Sequence, residues 1–98
     1  MKPCKRIEIV IERALAERTA ALLVDLGAPG YTFFDHASGR GDRGLRRADD
    51  PTGTSTNCVF VISCDDEETV SRIVEGIRPV LSRSGGICLV SDALWVRH

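Results

Sequence analysis

Between two apolar segments the chain carries about twenty residues, Ala37 to Thr56, that follow neither helical nor strand periodicity. Their first half reads Gly39-Arg40-Gly41-Asp42-Arg43-Gly44-Leu45-Arg46-Arg47. An aperiodic connection longer than about 12–15 residues is uncommon in a compact domain and usually has a function. It also constrains the architecture. The 98 residues suffice for one domain and are too few for two, so the segments on either side must fold together. From Arg40 to Arg47 four arginines stand against one aspartate, a local charge of +3 (4 − 1). Glycines let backbone N–H groups approach an anion closely, and guanidinium groups grip phosphates or carboxylates in bidentate fashion. The chain reads as a small frame bearing a cationic, ligand-sensitive arm.

The flanking segments have clear periods. Arg6-Ile7-Glu8-Ile9-Val10-Ile11 places β-branched residues at alternate positions, a strand signal. From Arg13 to Leu26, apolar-face residues recur at Leu15, Thr19, Leu22, Leu23 and Leu26, offsets of one helix face, and Gly27 supplies the stop. Tyr31 to Asp35 reads as a second strand, and Asn57 to Cys64 as a third with Val59-Phe60-Val61-Ile62 unbroken. Asp65-x-x-Glu68 resembles a capping box at the start of a helix carrying Val70, Ile73, Val74, Ile77 and Leu81 on one face. Pro79, near its end, is expected to shorten or kink it. Ser84-Gly85-Gly86 turns into a fourth strand, Ile87 to Val90, and Asp92 to Arg97 is expected to add a short edge strand.

The order β-α-β, loop, β-α-β with right-handed crossovers predicts an α+β fold: a ferredoxin-like βαββαβ sandwich, four antiparallel strands with both helices on one face. The third strand is apolar on both faces, whereas a strand facing water should alternate. Another copy of the chain is therefore expected to cover the second face.

Composition excludes several classes. A net charge of -1 argues against a protein that lives on nucleic acid backbones. No run approaches 18 apolar residues, and Met1 to Arg6 does not form a signal peptide, which predicts a cytoplasmic, reduced protein without membrane insertion. Cys4, Cys58, Cys64 and Cys88 form no C-x-x-C pair and no zinc spacing, so they read as buried free thiols.

Taken singly, Gly27-x-x-Gly30-x-Thr32, Gly39-x-Gly41 and Gly85-Gly86 are ordinary turns. None is a dinucleotide or P-loop fingerprint. Together, the first helix–strand turn, the base of the long loop and the turn before the fourth strand could converge on one lateral cleft between subunits. There, glycine amides would face a purine edge and phosphates, with Arg43 and Arg46 neutralising charge. Asp35-His36 reads as structural, since no Ser or Cys nucleophile pairs with it, and no catalytic residue is assigned. Trp95 reads as a packing anchor, and His98 has no readable role.

In the order of these motifs the chain resembles the PII signal-transduction superfamily, and within it the PII-like proteins that accompany carboxysomes and bicarbonate transporters. The residues that carry the resemblance are Gly27-Ala28-Pro29-Gly30-Tyr31-Thr32, Gly39 to Arg46, and Ser84-Gly85-Gly86-Ile87. It spans nearly the whole chain. The resemblance implies a homotrimeric, non-enzymatic regulator with adenine-nucleotide sites (AMP, ADP, ATP, cyclic AMP) between neighbours, bicarbonate beside the nucleotide and no metal. The T-loop, about 37–56, would engage a protein partner such as a bicarbonate transporter or carbon-fixation component, in the cytoplasm or at a carboxysome. By position, the nucleotide would touch Gly27, Gly30, Tyr31 and Thr32 from the first turn. From the loop it would touch Gly39, Arg40, Gly41, Arg43 and Arg46, and from the last turn Gly85, Gly86 and Ile87. Bicarbonate would lie by Gly41, Arg43 and Arg46.

Two departures bear on the ligand. Arg43 stands near the position of a glutamine that helps nitrogen-regulatory relatives bind Mg-ATP and 2-oxoglutarate, and Ser82 to Gly86 lacks their phosphate-binding lysine. The loop also lacks a tyrosine for uridylylation. These disfavour 2-oxoglutarate sensing. Ordering a loop residue costs about 1–2 kcal/mol, whereas a charge-assisted bond returns about 1.5–3 kcal/mol. A few such bonds would order only the loop base, leaving the tip, Asp49 to Thr56, disordered without a partner. The rival readings are a trimeric divalent-cation-tolerance module, an acylphosphatase-like enzyme for which Glu12-Arg13 is a poor match, and a structural trimer without ligand.

Overall fold

The structure, a computed structural model, describes residues 1–41, 44–46 and 56–98. Strand β1 (Lys2–Glu12) leads through a single 3-10 turn (Arg13–Leu15) into helix α1 (Ala16–Asp25). Strand β2 (Thr32–Ala37) follows, then the short strands β3 (Gly39–Gly41) and β4 (Gly44–Arg46). Strand β5 (Asn57–Cys64), helix α2 (Glu67–Ser84) and strand β6 (Ile87–Trp95) complete the chain. The main sheet has the order β2-β5-β1-β6, every pair antiparallel, as a ferredoxin-like α+β fold requires.

Period-two alternation separates the two faces of this sheet. Ile7, Ile9 and Ile11 of β1 and Cys58, Phe60, Ile62 and Cys64 of β5 are buried, and form the core with Leu23 of α1 and Ile73 and Ile77 of α2. Fully burying one such side chain contributes about 1.5–3 kcal/mol. Phe60 is the aromatic centre, its ring centroid 5.2 Å from that of Tyr31 and 5.1 Å from that of Phe33. The helices approach closely at Gly76, where a Cβ would lie 2.5 Å from Leu26 Cδ1. Beside it the Arg72 Nε–H donates to the Leu26 carbonyl at 3.1 Å.

Among the described residues no helix covers the other face. The register aligns Phe34, Val59, Val10 and Ile87 in one row across the sheet, and Thr32, Val61, Glu8 and Leu89 in the next. Phe34, Ile87 and Leu89 are each more than half exposed. This is the two-sided apolar strand read from the sequence. Among the described residues, nothing within the protomer shields it.

Several boundaries differ from expectation. Strand β1 begins at Lys2 rather than Arg6, and the two expected C-terminal strands form one nine-residue edge strand, Ile87–Trp95. Asp66, not Asp65, is the N-cap of α2. Its carboxylate accepts from the Thr69 N–H at 3.1 Å and from the Thr69 hydroxyl at 2.6 Å. Asp65 instead pairs with Lys2 at 2.7 Å. Pro79 does not end α2, which runs five residues further to Ser84. Both Pro79 and Glu75, whose carbonyl loses its donor, lie on the solvent side, where water can take the place of the missing N–H. The arginine-rich stretch, expected to be aperiodic, contains the β3–β4 hairpin, with Gly39 opposite Arg46 and Gly41 opposite Gly44.

Candidate functional site

The base of the long connection is held by Arg13, at the turn where β1 becomes α1. Its Nε–H donates to the Asp35 carboxylate, the two oxygens lying at 2.9 and 3.0 Å, and its Nη1–H donates to Glu17 at 3.1 Å. The guanidinium carbon sits 5.7 Å from the centroid of the Phe33 ring, within cation–π range. The backbone N–H of the same residue donates to the Thr56 carbonyl at 2.9 Å. One residue therefore ties down both feet of the connection, the end of β2 and the approach to β5. With its guanidinium occupied by two carboxylates, Arg13 is a brace and a poor anion ligand.

Asp35 also accepts from the His36 N–H at 2.8 Å. His36 is in the left-handed region (φ 56°), where the β2–β5 register shifts between Phe34 and Ala37. A positive φ at a non-glycine residue is uncommon and stays populated only where its surroundings enforce it. Desolvation alone would raise the Asp35 carboxyl, but the His36 N–H and the Arg13 guanidinium together hold it below the usual carboxylate range. The Asp35-His36 pair is structural, as its sequence suggested. The brace from Arg13 escaped the sequence because its partners are 22 and 43 positions away.

The glycines fall into two kinds. Gly27 (φ 89°) closes α1 in a Schellman arrangement, its N–H donating to Val24 and that of Ala28 to Leu23, each at 3.0 Å. Gly85 (φ 72°) does the corresponding work for α2. At Gly86 a Cβ would lie 2.5 Å from the Val10 carbonyl oxygen and 2.8 Å from Ile11 Cγ2, so this glycine lets β6 pair tightly with β1. Gly30 and Gly39 are different. Among the described residues a Cβ at either would meet nothing within 4 Å, and neither has positive φ. Neither packing nor backbone conformation requires a glycine there.

Within one protomer the described backbone segments of the predicted site do not close on each other. Gly30, Tyr31 and Thr32 lead into β2, where Thr32 opposes Val61, and Gly39 begins β3 just past the end of β2, where Ala37 opposes Asn57. The strand between them spans roughly 17–20 Å. Gly85, Gly86 and Ile87 open β6, the opposite edge of the sheet, at the same end as the base of the connection. Arg40, Gly41 and Arg46 belong to the short hairpin. Arg43 lies outside the described residues, as does most of the tip expected to be disordered. Thr56, included in that expectation, is instead fully buried.

The start of β2 borders an open cleft of about 340 Å3, lined by Gly30, Tyr31, Thr32, Val61 and Ser63 and by Trp95. Trp95, read from the sequence as a packing anchor, is 41% exposed within the protomer. The cysteines behave as read: Cys4, Cys58 and Cys64 are buried free thiols and Cys88 is partly buried, with burial pushing the Cys58 thiol up to about 11. Among the described residues no helix is long and apolar enough to cross a membrane.

No curated protein matches the sequence. Among solved structures, CPII, a nitrogen regulatory PII-like protein from Thiomonas intermedia K12 bound to ADP, AMP and bicarbonate, is 28% identical with a TM-score of 0.81, covering 98% of this chain and 96% of that one. A PII-like signaling protein from Thermus thermophilus is 26% identical with a TM-score of 0.79, covering 97% and 91%. GlnK of B. subtilis in complex with ATP, at 20% identity and a TM-score of 0.64 over 95% and 84%, shares the fold. The sequence profile of nitrogen regulatory protein P-II matches residues 4–98, and the chain belongs to that family.

Proposed function

We propose that this chain is a PII-like regulator that binds adenine nucleotides, together with bicarbonate, in clefts between the subunits of a homotrimer. The observation that carries this reading is the likeness, over nearly the whole of both chains, to CPII bound to ADP, AMP and bicarbonate. Two features of the protomer agree with it. Gly30 and Gly39 leave open space that no packing demand explains. The uncovered sheet face, with Phe34, Ile87 and Leu89 exposed, suits burial against further copies. Because the two glycines sit at opposite ends of β2, a head-to-tail ring would bring the first turn of one protomer to the loop base of the next.

On this reading the chain is a single domain, its output is the T-loop (about 37–56), and it acts by regulation rather than catalysis. Nucleotide phosphates and bicarbonate, held by Gly41, Arg43 and Arg46, would favour one loop conformation among many and so expose or hide a partner surface. Arg13 and Asp35 hold the feet of the loop fixed while its arginines respond. Bicarbonate in the relative supports a role in inorganic-carbon metabolism, with a bicarbonate transporter or carbon-fixation component, carboxysomal ones included, as the kind of partner expected.

Calorimetry with AMP, ADP, ATP and cyclic AMP, each with and without bicarbonate, tests the proposal. At least one adenylate should bind saturably. Arg43→Ala should weaken that binding by about 1.5–3 kcal/mol, the worth of one charge-assisted bond. Absence of heat from every adenylate would refute the reading. Unchanged affinity in Arg43→Ala would remove Arg43 from the site.

A further inference from the structure

Trp95 lines two clefts of opposite character. Among the described residues, no charged side chain lines the cleft of about 340 Å3 by the start of β2. Beside the indole it offers the open space over Gly30 and the hydroxyl-bearing Thr32 and Ser63. The other cleft, of about 380 Å3, is lined by Lys2, Asp65, Arg97 and His98 with the same indole. Asp65 is taken up by Lys2 at 2.7 Å, and among the described residues Arg97 has no carboxylate partner. A neutral slot with hydroxyls at its margin, a partly exposed aromatic wall and an adjoining cationic slot together match a ligand with a planar heterocycle at one end and phosphates at the other.

We propose that Trp95 is the stacking platform for the nucleobase of a nucleoside diphosphate, with Thr32 and Ser63 reading the base edge and Arg97 facing the phosphates. This assignment rests on the adenylate-binding reading above and adds to it the residue that would favour a base-bearing ligand over its phosphates alone. Stacking on an aromatic side chain requires a π-face more than a particular base, so Trp95 would supply affinity and the hydroxyls would supply discrimination. Indole also suits a partly wet position, one side against protein and the other open to a ligand.

Trp95 is the chain's only tryptophan, so its emission reports on this position alone. Full-length protein is titrated with ADP and with inorganic pyrophosphate, following indole fluorescence and heat together. Saturable quenching by ADP at the calorimetric midpoint, with none from pyrophosphate, supports the proposal. Trp95→Leu should bind ADP about tenfold or more weaker, while Trp95→Phe, which keeps a ring, stays within about threefold of the parent. Thermal melts and light scattering on each variant check folding and assembly. Should Trp95→Leu not fold, quenching in the parent and the affinity of Trp95→Phe still decide the matter. ADP heat without any change in emission, or full affinity in Trp95→Leu, overturns the role of Trp95 and leaves adenylate binding intact. No heat from any adenylate overturns both.

Discussion

Replacing glycines one at a time by alanine should separate those the fold needs from those it does not. At Gly86 the new methyl would lie 2.5 Å from the Val10 carbonyl oxygen and 2.8 Å from Ile11 Cγ2. Both neighbours belong to the central strand β1, whose paired backbone cannot swing aside, so β6 must move off the sheet. Forcing a methyl into a packed site costs about 1–3 kcal/mol. At Gly30 and Gly39 the methyl meets nothing within 4 Å among the described residues, and the backbone conformation is compatible. There the main effect is a less flexible unfolded chain, a gain of about 0.4–1 kcal/mol. For a domain of this size each kcal/mol moves the melting temperature by about 4–8 °C. Melts should be compared at one protein concentration, because assembly shifts apparent stability. Gly86→Ala should melt clearly below the parent, and Gly30→Ala and Gly39→Ala at or slightly above it. ADP affinity should nevertheless fall in the last two if their space belongs to the ligand. A Gly86→Ala protein as stable as the parent, or a Gly30→Ala protein losing more than about 1 kcal/mol, would refute the packing argument.

Three further outcomes follow from local chemistry. Asp66→Ala should cost about 0.5–2 kcal/mol in urea unfolding through loss of the α2 cap, whereas Asp65→Ala should change little; the reverse order would return the cap to Asp65. The Cys58 thiol, pushed up to about 11 by burial, should resist iodoacetamide at pH 8 until denaturant is added, and rapid labelling of native protein would contradict its buried place. The Asp35 carboxyl is lower in the folded chain than its ordinary value of 3.8. Its stabilisation is therefore present above that value and lost as pH falls through the lower, folded one. Asp35→Asn should destabilise the protein at neutral pH and flatten the acid limb of its stability curve, and an acid limb identical to the parent's would exclude the Arg13–Asp35 brace.

The parts of the fold legible in the sequence are those where one period dominates. The isoleucines at 7, 9 and 11 could lie only on one face of a strand, and Ile73 and Ile77 only on one face of a helix. Strand β6 was harder to read. Ser91 and Asp92 break its apolar pattern, yet an edge strand exposed along most of its length tolerates polar residues, so two apparent strands are one. The cap of α2 was misplaced by one residue because Asp65 and Asp66 are equally suitable caps, and Lys2, distant in sequence, claims the first. The glycine motifs located the candidate site but not the reasons for each glycine. Distinguishing Gly86 from Gly30 requires knowing what stands opposite, which is tertiary information. The brace from Arg13 was hidden for the same reason, since its partners are brought together only by the sheet.

In the proposed trimer the ligand pocket has two halves, the Gly30–Thr32 turn of one protomer and the arginine-bearing loop base of its neighbour. This division is tested most directly by mixing two binding-deficient proteins, Gly30→Arg and Arg43→Ala, after dissociation and reassembly in equal amounts. If each pocket draws its halves from adjacent protomers, about a quarter of the pockets regain both intact halves and ADP binding returns to that extent. If both halves come from one protomer, every pocket stays defective, and a mixture as inert as its components would contradict the account.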